Sequence, residues 1–319
     1  MFKTAFATSL VAVAVNAYRK QDDPLCEVNE HLVGGLPYWA ENPALFPCQY
    51  AGTVYGNEEE THNMFYWMYP AENPDAPVTV WLNGGPGASS AFANFLMNGP
   101  QRINHFGPGE NDYEVTIAEQ GSWADVSTMI FIDQPIGTGF SWCSECDDRL
   151  DNMDDAANEF MIMLENLWLM YPQFLGRDFY LTGESYGGKY LPRYSWEILK
   201  QNRLIGEPRY NLKATLVGDP YTAPLTQRTS MWKLPEALNV LDDSNMPQIA
   251  ALIRRCQEEI AIDEYQAGDD CSSIMGYIEE VSGDVFPYDQ RIFGYDWDPT
   301  EDMVIDYMNS SGETKQLYE

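Results

Sequence analysis

Four short apolar segments, each followed by a glycine- or proline-containing loop, constrain the fold of this chain more than any other feature. Their β-branched and aromatic residues are typical of buried strands, and the loops break any continuing element. The segments are VTVWL (78–82), TMIFID (128–133), DFYLT (178–182) and ATLVG (214–218).

A helical pattern lies between the second and the third of these segments. Phe160, Leu164 and Leu167 recur at the spacing of one helical face, and Pro172 ends the pattern. Strands that alternate with helices predict an α/β fold with a mostly parallel sheet flanked by helices. Because sites in such sheets form where the strands end, we expect the chemistry to lie in the loops that follow them.

The pattern of apolar and polar residues changes near residue 225. Residues 18–224 contain the apolar segments, including a further predicted strand, MFYWMY, at 64–69. Residues 225–319 contain an amphipathic helical pattern over 246–263 and then an acidic, aromatic stretch with no clear buried strand. We therefore predict a sheet core over 18–224 and a helical cap insertion over 225–319.

The first 17 residues have the features of a secretory signal peptide. Lys3 precedes an apolar run from Ala5 to Val15, which is too short to span a bilayer, and small residues surround a cleavage point after Ala17. The alternative is a buried first strand. A signal peptide predicts a mature protein in the secretory pathway with no membrane association after cleavage, located in a vacuole or lysosome or outside the cell.

Six cysteines fit an oxidising compartment, and a disulfide framework is expected although six cysteines allow about fifteen pairings. The alternative for the Cys-x-x-Cys pair is redox chemistry. Asn309 opens the single glycosylation sequon. Proximity in the sequence favours Cys26–Cys48, Cys143–Cys146 and Cys256–Cys271.

A net charge of -31 limits the possible partners. Such a chain repels phosphate backbones and anionic membrane surfaces, so nucleic acid is not an expected partner. The acidity fits a solvated surface, or adaptation to an acidic compartment where part of the charge is protonated. No ligand set with metal-site spacing is apparent, and we expect neither a metal nor a cofactor.

Two of the loops contain candidate catalytic groups. Gly183-Glu184-Ser185-Tyr186-Gly187 follows a strand and precedes a possible helix, which is the context of a nucleophile elbow. The loop after the strand at 78–82 reads NGGPG, and backbone N–H groups in such a loop can face a developing oxyanion. The alternatives are an ordinary tight turn for the first loop and a structural or anion-binding turn for the second.

The sequence resembles the serine carboxypeptidases of the α/β-hydrolase superfamily. The resemblance rests on VWLNGGPGASS, SWADVSTMIFIDQPIGTGFSW and YPQFLGRDFYLTGESYGGKYLP, and more weakly on ATLVGDPYTAP and YDQRIFGYDWDPTEDMVIDYMN. These stretches occur in the family's order across roughly residues 30–310. The resemblance implies release of single C-terminal amino acids from peptides through an acyl-enzyme on Ser185.

The resemblance also implies roles for the residues that match the family's motifs. The N–H groups of Gly85 and Tyr186 would form the oxyanion hole. The substrate's terminal carboxylate would be held by the set that comprises Trp81, Asn83, Gly84 and Glu184. A carboxyl group can donate a hydrogen bond only when protonated, so Glu184 favours activity at low pH.

Three positions depart from the family pattern. Ala88 replaces a cysteine, which removes a disulfide that anchors the loop. Met97 replaces a glutamate that normally partners the elbow's glutamate, which puts recognition of the carboxylate in doubt. The sequence at 218–220 reads GDP where the family tends to have GNG.

The catalytic set is incomplete in this sequence. In α/β-hydrolases the acid and the histidine follow the serine, but His31, His62 and His105 all precede Ser185. We expect a chain that stops before its acid and base, inactive by itself and completed by further sequence or a second chain. The alternatives are an acyltransferase on the same scaffold and a catalytically dead binding homologue.

Overall fold

The computed structural model describes residues 18–105, 113–144, 150, 152–206, 209–262, 268–283, 285–286, 289–293 and 307. The chain forms two compact units. The first comprises Met1–Asp219 and Thr300–Glu319, and the second comprises Pro220–Pro299.

The first unit contains nine strands and three α-helices within its described residues. The strands are β1 (Tyr50–Tyr55), β2 (His62–Tyr69), β3 (Val78–Leu82), β4 (Gln101–His105), β5 (Tyr113–Ile117), β6 (Thr128–Ile132), β7 (Trp142–Cys143), β8 (Phe179–Glu184) and β9 (Leu212–Gly218). The helices are α1 (Ala91–Leu96), α2 (Met153–Met170) and α3 (Gly187–Ile205). The five strands expected from the sequence are present, whereas the β4–β5 hairpin was not predicted.

A seven-stranded sheet organises this unit, in the order β1-β2-β6-β3-β8-β9, with β7 paired to β2. β6, β3, β8 and β9 run parallel, and β1 and β2 are antiparallel to their neighbours. The parallel strands are flanked by helices, which confirms the predicted fold class. Because β3 and β8 are neighbours, the two candidate loops leave the sheet side by side.

Helix α2 begins and ends at clear local signals. Asn152 Oδ1 accepts hydrogen bonds from the N–H groups of Asp154 and Asp155, which satisfies donors of the first turn. The acidic residues of that turn also stabilise the helix, because their negative charges lie near the positive end of its dipole. Pro172 follows the helix, as the sequence predicted.

The sheet has an apolar cluster on each face. One face packs against α2 and α3, where Phe160 and Tyr194 stack with ring centroids 4.5 Å apart. The other packs against α1 and the β4–β5 hairpin, where Trp67 and Phe95 meet edge to face at 5.2 Å. These clusters hold the strands in a register that fixes where their carboxyl ends lie.

The second unit has its own core. Its elements are α4 (Pro224–Arg228), α5 (Lys233–Ala237), α6 (Met246–Ile262), α7 (Gly268–Ser282), β10 (Val285–Phe286) and β11 (Asp289–Phe293). Ile249, Leu252 and Ile274 are buried in a cluster that α6 and α7 share. The helix expected over 246–263 is present as α6, and the proposed cap role of this region stays a prediction.

Each unit contains a disulfide within itself. Cys26–Cys48 and Cys256–Cys271 are bonded as predicted. Cys143 is also disulfide-bonded, but its expected partner, Cys146, lies outside the described residues. The signal peptide prediction and Asn309 likewise fall outside them. No helix in the described part of the chain is long and apolar enough to cross a bilayer.

Candidate active site

The turn between β8 and α3 holds Ser185 in an unusual backbone conformation. Its φ is +54°, in the left-handed region that residues with a Cβ rarely adopt. Its N–H donates to the carbonyl of Gly218 on β9 at 3.0 Å, and its carbonyl accepts from Gly188 at 2.9 Å. The turn is therefore held from the strand side and from the helix side, which is the geometry expected of a nucleophile elbow.

Close packing against β3 explains the first glycine of the elbow. A Cβ on Gly183 would lie 2.2 Å from the carbonyl oxygen of Leu82, so no side chain fits there. Gly187 is less crowded, because a Cβ would lie 3.6 Å from the same oxygen. The first glycine is therefore required by the contact with β3, and Gly187 opens α3 where the helix passes close to that strand.

The glycine-rich loop after β3 lies against the elbow. A Cβ on Gly84 would stand 2.6 Å from the amide nitrogen of Tyr186 and 2.8 Å from Ser185 Cβ. Gly85 is exposed and has a φ of +106°, and Gly87 has a φ of +95°. Only a loop without side chains can bring its backbone this near to the serine.

The four residues expected to bind a carboxylate form a connected group. The indole N–H of Trp81 donates to Asn83 Oδ1 at 2.7 Å, which fixes the orientation of that buried amide. The backbone N–H of Gly84 donates to Glu184 Oε1 at 3.5 Å. An oriented amide and a carboxyl group thus lie together beside the candidate nucleophile.

Burial raises the pKa of Glu184 above its usual range, while the hydrogen bond from Gly84 opposes the rise and the charge of Asp219 adds to it. Asp219 follows Gly218, the residue that pairs with Glu184 across β8 and β9. Met97 provides no carboxyl group, and its carbonyl accepts from Arg102 Nη2 at 2.7 Å. The acidic neighbour of Glu184 is thus Asp219. This residue is the middle one of the GDP segment at 218–220, which departs from the family pattern.

Asp133, directly after β6, was not singled out from the sequence, yet it connects the glycine-rich loop after β3 to the loop that follows β6. It is fully buried, and its Oδ1 accepts from Ser89 Oγ and from the N–H of Ser90, each at 2.8 Å. Its Oδ2 accepts from the N–H of Phe140 at 2.9 Å. Burial raises the pKa of Asp133 to about 6, although these hydrogen bonds lower it.

The same carboxylate explains why residue 139 is a glycine. Its φ is +54°, and a Cβ added there would lie 2.1 Å from Asp133 Oδ2. Asp133 therefore anchors the glycine-rich loop at Ser89 and Ser90, in the region where Ala88 replaces the family's cysteine. Its position directly after an apolar strand, before QPIGTG, is the sequence signal that could have identified it.

The described histidine side chains have partners other than Ser185. His31 Nδ1 lies 2.6 Å from the hydroxyl of Tyr66. His62 bonds the buried carboxylate of Glu159 on α2. The side chain of His105 is outside the described residues. Within the described part of the chain, the site therefore contains the candidate nucleophile Ser185 and backbone N–H groups, but no histidine side chain bonded to the serine.

The described residues contain no group of three or more histidine, cysteine, aspartate or glutamate side chains that could hold a metal ion. The residues that meet at the ends of β3, β6 and β8 can supply a hydroxyl, backbone N–H donors and a carboxyl group. This set suits acyl transfer through a covalent intermediate, once a base is provided.

Comparison with known proteins gives a consistent picture. A sequence model of the family described as "Serine carboxypeptidase" matches residues 40–311. "Pheromone-processing carboxypeptidase KEX1" of Phaeosphaeria nodorum is 32% identical over 91% of this chain and 47% of its own length. "Serine carboxypeptidase S10 family member 2" of Dictyostelium discoideum is 31% identical over 83% of this chain and 48% of its own length.

The structure matches that of Kex1(delta)p, a prohormone-processing carboxypeptidase from Saccharomyces cerevisiae. The TM-score is 0.77 at 25% identity, over 91% of this chain and 68% of the other. The chain spans about half the length of the two relatives named above. By the match to its family model, its relatives and its α/β-hydrolase fold, this chain belongs to the serine carboxypeptidase family.

Proposed function

We propose that this chain provides the nucleophilic half of a serine-type carboxypeptidase active site. The observation that carries the proposal is the contact between two loops: Ser185, in the left-handed conformation, abuts the backbone of Gly84. In this proposal the N–H groups of Gly85 and Tyr186 bind the oxyanion. The acid and the histidine come from polypeptide that this sequence does not include.

The reaction then follows from the geometry of the two loops. Ser185 Oγ attacks the carbonyl carbon of the last peptide bond while its proton passes to the supplied histidine. The carbon–nitrogen bond breaks, the leaving amino acid takes that proton, and an ester remains on the serine. Water activated by the same histidine hydrolyses the ester and restores the hydroxyl.

Recognition of a free C-terminus is assigned to the group around Glu184. Asn83, whose Oδ1 is occupied by Trp81, has its amide N–H groups available to a substrate carboxylate. Glu184 donates to the carboxylate only when protonated, and its raised pKa extends the protonated form toward higher pH. Peptides and proteins with a free C-terminus are therefore the proposed substrates.

Labelling with a fluorophosphonate, which reacts with activated serines, tests the proposal on the protein purified from its source. We expect labelling at Ser185, loss of labelling in Ser185→Ala, and release of C-terminal amino acids by the unmodified protein. Absence of labelling in the native protein would contradict the proposal and indicate a catalytically dead homologue.

The second candidate function is acyl transfer to an alcohol or amine. Met97, in place of the glutamate that partners the elbow's glutamate, is the observation that favours it, because altered carboxylate recognition relaxes the requirement for a peptide. Labelling of Ser185 without release of C-terminal amino acids would support this function over the carboxypeptidase.

We also propose a location in the secretory pathway, either in a vacuole or lysosome or outside the cell. The bonded cysteines of both units support an oxidising compartment. Cleavage after Ala17 and a glycan on Asn309 are part of this proposal. Mass spectrometry of the native protein, before and after removal of N-linked glycans, tests both.

A further inference from the structure

A cavity of about 540 Å³ lies at the end of the central sheet opposite the candidate active site. Thr128, the first residue of β6, lines the cavity, whereas Asp133, which anchors the glycine-rich loop, follows the last residue of that strand. At about 3.3 Å per residue, β6 separates its two ends by about 16 Å. The cavity is therefore distinct from the active site, and its volume lies within the range of small-molecule sites, about 300–1,000 Å³.

Two arginines in the cavity wall are oriented in the same way by the turn between β2 and β3. Arg177 donates from Nε to the carbonyl of Ala76 at 2.7 Å, and its Nη2 bonds the same oxygen. Arg19 donates from Nε and Nη2 to the carbonyl of Ala71, at 3.3 and 3.1 Å. Because the donors of a guanidinium group lie in one plane, a carbonyl that binds one edge also fixes the direction of the remaining N–H groups.

The Nη1 group of Arg177 remains free to bind a ligand. Nη2 also donates to Thr128 Oγ1 at 3.3 Å, and the guanidinium lies over the ring of Phe174, 5.4 Å from its centroid. None of the hydrogen bonds that Arg177 forms with described residues uses Nη1. No described carboxylate forms an ion pair with this arginine. Its charge is thus held in a fixed orientation without an ionic partner.

This part of the cavity is positively charged, although the net charge of the chain is -31. Arg19 is only 5% exposed, and its Nη1 pairs with Asp23 Oδ1 at 3.4 Å. Burial lowers the pKa of Arg177, the charge of Asp75 opposes this shift, and the charge of Arg19 adds to it. The single carboxylate among the described lining residues, that of Glu27, is exposed to solvent. An anion beside Arg177 would therefore offset both its burial and its repulsion by Arg19.

The rest of the wall is largely apolar. Its apolar side chains come from β2, from the end of α2 and the turn that follows it, and from the segment next to the Cys26–Cys48 disulfide, and they include Met68, Met170, Phe174 and Leu25. Methionine side chains adapt to ligands of irregular shape. A ligand that fits this wall combines one negative charge with an apolar body.

We propose that the cavity binds a small organic carboxylate with an apolar body, such as a medium-chain fatty acid. The carboxylate accepts hydrogen bonds from Nη1 of Arg177, and the hydrocarbon chain packs on Met68, Met170 and Phe174. A singly charged group matches the single guanidinium that lacks an ionic partner, whereas a phosphate dianion requires further donors. The proposal does not depend on the proposed function, because no residue of the elbow or of the glycine-rich loop lines the cavity.

Isothermal titration calorimetry of the native protein with sodium octanoate at pH 6.5 tests this proposal. Octylammonium and octyl phosphate carry the same chain with a different charged group. We expect saturable binding of octanoate that is at least tenfold tighter than that of either analogue. Arg177→Met should weaken octanoate binding at least tenfold. Because Arg177 also supports the turn between β2 and β3, a second substitution that leaves its hydrogen bonds intact is measured as well.

Leu25 provides that second substitution, since its side chain lines the cavity and is 58% exposed. Leu25→Glu adds a negative charge to the wall, and Leu25→Gln is its neutral control. We expect octanoate binding to weaken at least tenfold in Leu25→Glu and to change less than threefold in Leu25→Gln. Leu169→Glu, at a 66% exposed position of α2 that does not line the cavity, should bind octanoate as the unmodified protein does.

Three results would overturn the proposal: no saturable binding of octanoate, equal or tighter binding of either analogue, or equal binding of octanoate by Leu25→Glu and Leu25→Gln. Because the active site is also proposed to bind carboxylates, Glu184→Gln is measured in parallel. Binding lost in Glu184→Gln but kept in Leu25→Glu would assign octanoate to the active site and reject the cavity. Fluorophosphonate labelling of Ser185 reports on the proposed function separately, so labelling without octanoate binding rejects the cavity alone.

Discussion

Replacement of Asp133 by asparagine is expected to change how the stability of the protein depends on pH. The carboxyl group is fully buried, and burial raises its pKa from the ordinary 3.8 to about 6. The folded protein thus holds this proton more tightly than the unfolded chain does. The resulting stability is fully present below pH 3.8 and is lost as the pH rises through about 6.

The size of this contribution follows from the two pKa values. Each pH unit between them corresponds to about 1.4 kcal/mol, so the carboxyl group contributes about 3 kcal/mol of pH-dependent stability. Asp133→Asn abolishes the titration. It also places an amide donor against the N–H of Phe140, which adds a loss of about 1–3 kcal/mol that does not vary with pH.

Urea unfolding at pH 4, 5, 6 and 7, followed by tryptophan fluorescence, measures both quantities. The free energy of unfolding of the unmodified protein minus that of Asp133→Asn should decrease by about 2 kcal/mol from pH 4 to pH 7, because a small part of the loss already occurs below pH 4. Glu58→Gln, in the exposed turn between β1 and β2, is the matched control and should give a constant difference. A constant difference for Asp133→Asn as well would refute the reasoning.

Three further results are expected. Gly84→Ala places a Cβ 2.6 Å from an elbow amide, so fluorophosphonate labelling should fall at least tenfold, whereas Gly34→Ala, with nothing within 4 Å, should label normally. His62→Ala leaves the buried Glu159 carboxylate without its partner and should lower the free energy of unfolding at pH 7 by about 3–5 kcal/mol. Because burial raises the pKa of Glu159, more of this carboxyl group is protonated at pH 5, and the loss of unfolding free energy should be smaller there than at pH 7. An equal loss at the two pH values would contradict this reasoning. The rate of peptide cleavage should fall from pH 5 to pH 8, and Glu184→Gln, which donates at every pH, should flatten the profile. A flat profile in the unmodified enzyme would refute the assigned role of Glu184.

Much of the local structure was predictable because it depends on neighbouring residues. Apolar β-branched runs indicated the strands, glycine and proline marked their ends, and the helical spacing before Pro172 indicated α2. The strand–turn–helix context of Ser185 was equally visible, since a nucleophile elbow is defined within a few residues. Pairing of Cys256 with Cys271 was predictable for the same reason, because the two are only 15 residues apart.

Contacts between distant segments could not be derived from the sequence. A side chain at position 84 would clash with the turn at Ser185 and Tyr186, about one hundred positions later in the sequence. The two segments meet only because β3 and β8 are neighbours in register. Asp133 meets Ser89 and Ser90 because β6 lies on the other side of β3. These relations depend on the order of strands in the sheet, which local propensity does not encode.

By itself, then, the sequence determined the local elements and, through its motifs, the candidate nucleophile and its loops. The tertiary structure alone decided that the two loops touch and that Asp133 anchors the glycine-rich loop at Ser89 and Ser90. The physical reason is that periodicity and turn chemistry act over a few residues. Burial, pKa shifts and exposure depend instead on which distant segments the sheet brings together.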